Sequence, residues 1–93
     1  MPTPFLPELK VPAGWTVMFR GWDDDVNEDL LQLRNEAKDQ LVDVGWYPEG
    51  ASTGEFALVV FAGDFSGGPL LEFRTRERTQ LLDRLQAVLL GEP

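Results

Sequence analysis

"VNEDLLQLRNEAKDQLVDV", residues 26–44, is the stretch on which the fold turns, because its period settles how everything around it connects. Val26, Leu30, Leu33, Ala37, Leu41 and Val44 recur at spacings of three and four, the period that lays one apolar stripe along a helix. Asp25 precedes the run as an N-cap, and Glu28, three residues on, completes a capping box. Gly45 follows at the left-handed position that closes a helix. The spacing predicts one long helix.

On its N-terminal side, "WTVMFR" (15–20) alternates Trp15, Val17 and Phe19 with Thr16, Met18 and Arg20, the pattern of a half-buried strand. Before it, residues 1–14 hold four of the seven prolines and form an extended arm, with Phe5, Leu6 and Leu9 available for burial. On the other side, "EFALVVFA" (55–62) is a nearly continuous apolar strand and "LLEFRT" (70–75) an alternating one. The glycine-rich link between them suits a hairpin turn. A second helix runs from about Arg76 to Leu90, burying Leu81, Leu85 and Val88 with Leu82 and Leu89 at the flanks, and Gly91 stops it.

The expected order is therefore β-α-β-β-α, an α+β two-layer sandwich. Its three-stranded sheet, with residues 70–75 in the middle, is a split βαβ unit, ferredoxin-like but lacking the fourth strand, with both helices on one face. Residues 1–14 are the arm and 15–93 a single small domain. In this arrangement Phe56, Leu58 and Val60 share the inner face with Leu71 and Phe73, while Met18, Val59, Phe61 and Leu70 point outward. So apolar an outer face calls for cover, by the N-terminal arm or by a second copy, and a homodimer closed on Met18, Val59, Phe61 and Leu70 is the expected assembly.

The link "GDFSGGP" (63–69) differs by one inserted residue from the GDSGGP string around the nucleophile of trypsin-like serine proteases. Chemistry excludes that function. The chain has no histidine and no cysteine, so Ser66 lacks the imidazole base that a serine nucleophile ordinarily uses. At 93 residues it also cannot supply two barrels.

Composition bounds the remaining classes. With 43% hydrophobic and 26% charged residues the chain reads as one globular domain. No apolar run reaches the roughly 20 residues of a membrane span, and the N-terminus lacks the basic and apolar regions of a signal peptide. A cytoplasmic location is expected, and the absence of isoleucine with six arginines to two lysines reads as the codon bias of a GC-rich, bacterial genome. The net charge of −8 opposes direct nucleic-acid binding. That charge is uneven: residues 1–73 carry thirteen acids against four bases, residues 74–93 three acids against four arginines.

Three places could carry function. In "RGWDDDVNED" (20–29), Asp23, Asp25 and Asn27 match the first ligand positions of a calcium loop, but Glu28 and Arg34 stand where the glycine and the bidentate glutamate are needed. Asp23 and Asp25, joined by Asp64, are the metal candidates. The preferred reading is helix capping, and no metal or other cofactor is expected. In "RTRERT" (74–79), Arg74, Arg76 and Arg78 crowd a helix start, where acids are usual. They could hold an anion or a partner's carboxylate, or simply pair with nearby glutamates such as Glu55. In "GWYPEG" (45–50), Trp46 and Tyr47 beside those arginines have the composition of an interface hot spot; the alternative closes the core with Trp46 against Trp15.

The sequence thus points to a small, acidic, non-catalytic protein-interaction module of the adaptor, inhibitor or immunity type, acting on a protein partner. The alternative is a regulatory domain binding an anionic ligand at the arginine corner. A nucleic-acid mimic comes third, because the acids cluster at one point instead of forming a spaced ladder.

Overall fold

The computed structural model describes residues 3–22, 29–48, 53–63 and 68–91. The helix that the spacing predicts over 26–44 is replaced, over its described part, by two strands, while Val26 and the capping residues Asp25 and Glu28 lie outside the described residues. β2 (Leu31–Asn35) and β3 (Gln40–Tyr47) form an antiparallel hairpin in which Leu31 faces Val44, Leu33 faces Val42 and Asn35 faces Gln40. Burial shows which period won. Leu31 and Val42, off the helical stripe, are 0% exposed, whereas Ala37, on it, lies exposed in the turn. The turn is built from the polar residues between the strands. Asn35 Oδ1 accepts the Lys38 N–H at 3.0 Å, the Asp39 N–H donates to the Glu36 carbonyl at 3.2 Å, and Asp39 takes φ +52°. Aspartate tolerates that left-handed conformation better than most residues.

β1 (Trp15–Arg20), β4 (Glu55–Ala62) and β5 (Pro69–Thr75) complete one five-stranded antiparallel sheet, in which every strand lies beside its sequence neighbour. The expected three-stranded, ferredoxin-like sandwich with two helices is therefore incorrect. Residues 69–75 form an edge strand instead of the middle one, and no parallel crossover is needed once residues 31–47 are a hairpin. The one helix among the described residues is α1 (Arg78–Leu89), with Leu81, Leu85 and Leu89 buried and Gly91 at φ +76° just beyond its end.

The place assigned to a second helix is taken by the N-terminal arm. Phe5, Leu6 and Leu9 belong to the same buried cluster as Leu31, Leu33, Val42, Leu58, Leu81 and Leu85, so the arm and the domain share one core. The arm turns at Leu6 (φ +51°), and the Leu9 N–H donates to the Leu6 carbonyl at 3.0 Å. It is held at both ends. The Phe5 N–H donates to Gly21 O at 2.8 Å, and the Arg20 guanidinium donates to the Phe5 and Leu6 carbonyls. Further on, Gln86 of α1 exchanges two hydrogen bonds with the Lys10 backbone, at 3.0 and 2.7 Å.

In the β4–β5 pairing Leu58 stands opposite Phe73 and Val60 opposite Leu71, both pairs on the core side, where these four residues are expected. The register slips after Val60, so that Phe61 meets Pro69. The connection at 64–67 lies outside the described residues, and with it the turn reading of "GDFSGGP" and Ser66. No helix among the described residues is long and apolar enough to cross a membrane.

Candidate interaction face

With α1 and the arm on one side of the sheet, the residues of opposite parity make a second face whose rows follow from strand register. One row runs Thr16, Arg34, Leu41, Phe61, Pro69 across the five strands; the next runs Phe19, Gln32, Asp43, Val59, Glu72. Gly45, Ala57 and Arg74 form a third row, and Tyr47 and Glu55 a fourth. The register of β1 on β2 shifts between Val17 and Phe19. Met18 is thereby left without a β2 partner, and an extra residue of this kind re-aims a side chain. Met18 joins Gln32, Arg34, Leu41 and Ala62 around a concavity of about 630 Å³.

Apolar exposure concentrates on β1. Val17, Met18 and Phe19, consecutive in the chain, are 39%, 59% and 44% exposed. The face also carries a fixed polar rim. Arg34 donates to Asp39 Oδ1 at 2.9 Å and to the Gly63 carbonyl, tying the β2–β3 turn to the end of β4. In the second row Gln32 Nε2 donates to Asp43 Oδ1 at 3.2 Å. Burial pushes the Asp43 carboxyl above its ordinary range; the Gln32 hydrogen bond opposes this and the nearby Asp29 charge adds to it.

The expected site residues are dispersed across the molecule. Met18, Val59 and Phe61 are on this second face, with Val59 and Phe61 half-buried. Leu70, 59% exposed, lies at the opposite edge of the sheet, beside Val60, Leu71 and Val88. Trp46 and Tyr47 are separated by strand alternation. Trp46 turns into the core, edge-on to Phe56 with ring centroids 4.8 Å apart, while Tyr47 takes the row of Glu55 on the other face. Trp15 is at the far end of the sheet from Trp46, its indole N–H donating to the Leu89 carbonyl at 2.9 Å; the two tryptophans do not close the core against each other.

The three arginines are engaged by three different segments. Arg74 pairs with Glu72 at 3.0 Å and Glu55 at 3.6 Å. Arg76 donates to the carbonyls of Thr53 (2.6 Å) and Gly54 (3.2 Å). Arg78 makes a two-pronged contact with Glu8 of the arm, at 2.8 and 3.0 Å. Asp23, Asp25 and Asp64 lie outside the described residues. Among the described residues no three acidic side chains cluster as a metal site would require.

The Arg78–Glu8 pair yields a pH prediction. Hydrogen bonds from Arg78, then from the Glu8 backbone, hold the Glu8 carboxyl down to about 2 from its ordinary 4.5. A depressed carboxyl contributes stability above its unfolded value and loses it as pH falls through the folded value. The melting-temperature advantage of wild type over Glu8→Gln is therefore expected to be full above about pH 5 and to shrink to nothing near about pH 2. Added salt should reduce it too, since the pair is solvent-exposed. A constant gap across the pH series would refute this role for Glu8.

Sequence reasoning missed Phe19, Leu41 and above all Asp43. In a helix Asp43 would sit on the solvated side; in a strand it stands at the centre of a sheet face. The signal was present in "QLVDV" (40–44), where Val42 and Val44 alternate with Asp43. Comparison of the chain with protein-family models, with characterised proteins and with solved structures gives no match.

Proposed function

We propose that this chain is a small, acidic, non-catalytic protein-interaction module of the inhibitor or immunity type, and that it works through the sheet face opposite α1. The observation that carries the reading is the exposure of Met18 and Phe19, at 59% and 44%, on an edge strand bordering that face. Apolar side chains on an edge strand are an aggregation hazard unless a partner covers them. The lack of histidine and cysteine supports a binding role over a catalytic one. A cytoplasmic location fits the same reading.

The test is capture of a stoichiometric partner from lysate of the source organism with wild type beside a Met18→Asp/Phe19→Asp variant. Both positions are exposed, so the variant should remain folded. Wild type is expected to retain a partner that the variant loses. A partner held equally by both would move the working surface elsewhere, and no partner with either would overturn the reading.

A further inference from the structure

Asp43 lies mid-way along β3, the central strand, between Gln32 of β2 and Val59 of β4. It is a half-buried carboxylate whose charge is left without a counter-ion among the described residues: the ion pairs there engage Asp39, Glu55, Glu72 and Glu8, and Asp43 receives one hydrogen bond, from the neutral Gln32 amide. The cation of the adjacent row, Arg34, is already committed to Asp39 and the Gly63 carbonyl. A partly desolvated, unpaired carboxylate beside apolar side chains gains more from an incoming cation than a hydrated one does.

Resting on the interaction-module reading, we propose that the partner presents a lysine- or arginine-bearing extended segment to this face. Its cation meets Asp43, and its apolar neighbours rest on Phe19, Met18 and Phe61. Charge argues for this occupant over a second copy. The chain carries −8, which steers a basic partner in, whereas a second copy would bring a second −8 and a second Asp43 to the same surface. Alternation in an extended segment suits the geometry, since its side chains of one parity would meet successive positions along the face.

The experiment is an amide NMR titration of the full chain at low salt with the lysine peptide Val-Thr-Lys-Thr-Val, whose lysine and valines share one face when extended, set against its glutamate counterpart Val-Thr-Glu-Thr-Val. The lysine peptide is expected to shift the amides of Gln32, Asp43 and Val59, and the glutamate peptide to leave them in place. Asp43→Asn, which removes a charge that burial disfavours and so should fold at least as well, is expected to weaken binding about tenfold. Shifts confined to α1 and the arm, equal affinity for Asp43→Asn, or equal response to both peptides would overturn the proposal. So would a sedimentation dimer dissociated by Met18→Asp, which would make a second copy the occupant. If no shift occurs while partner capture still depends on Met18 and Phe19, the cation assignment falls and the module reading stands; if capture fails as well, both fall.

Discussion

Val42→Asp is expected to unfold the protein at room temperature, while Ala37→Asp leaves its melting temperature nearly unchanged. The pair separates two readings of one segment. Along the helical stripe of residues 26–44, Ala37 is an inward position and Val42 is not. In the hairpin Val42 is 0% exposed, opposite Leu33 and Val60, and Ala37 is exposed in the turn. An unpaired carboxylate forced into the core costs more than about 4 kcal/mol, much of the total stability of a small domain, roughly 5–15 kcal/mol. An exposed turn substitution stays within about 0.5 kcal/mol. Circular dichroism and thermal melts of the two variants decide the matter. A folded Val42→Asp protein beside an unfolded Ala37→Asp protein would restore the helix.

Phe5→Ala is the second large effect. Residues 1–14 read as an extended arm with Phe5, Leu6 and Leu9 available for burial, and Phe5 is 1% exposed, its ring 6.0 Å from that of Phe56, which in turn meets Trp46. Truncating a buried phenylalanine costs about 3–5 kcal/mol, so a melting-temperature drop of roughly 12 °C or more is expected for a domain of this size. Thr3→Ala, at an exposed arm position, should change stability by less than about 0.5 kcal/mol. If Phe5→Ala melts with wild type, the arm contributes nothing to the core, and Arg20, which bonds the Phe5 and Leu6 carbonyls, would hold an ornament. The arm also explains how a sheet with one helix covers its inner face: Phe5, Leu6 and Leu9 join Leu31, Leu33, Leu81 and Leu85 in one buried cluster.

Much of the candidate face was legible strand by strand. Met18, Val59 and Phe61 read as outward from alternation alone, and the β4–β5 register follows from matching Leu58 and Val60 to Phe73 and Leu71. The error lay in the segment between. Leu30, Leu31 and Leu33, like Leu41, Val42 and Val44, offer apolar residues at both one-and-three and two-residue spacings, so each triplet satisfies either period. Leucine, glutamine, arginine, glutamate, alanine and lysine are all good helix formers, and local propensity yields to tertiary packing. Once β2 and β3 were lost to a helix, Asp43 could not be seen as the centre of a sheet.

Local period and composition suffice for the strands at 15–20, 55–62 and 70–75, the helix that buries Leu81 and Leu85, the acidic charge, and the exclusion of histidine- or cysteine-based catalysis. The remaining features come from tertiary structure. It made residues 31–47 a hairpin, set the arm in the core, divided Trp46 from Tyr47 across the sheet, and gave each of Arg74, Arg76 and Arg78 its own partner. The physical reason is common to all four. Each depends on which distant groups come within a few ångströms, and a local period constrains only the neighbours a residue meets along its own element.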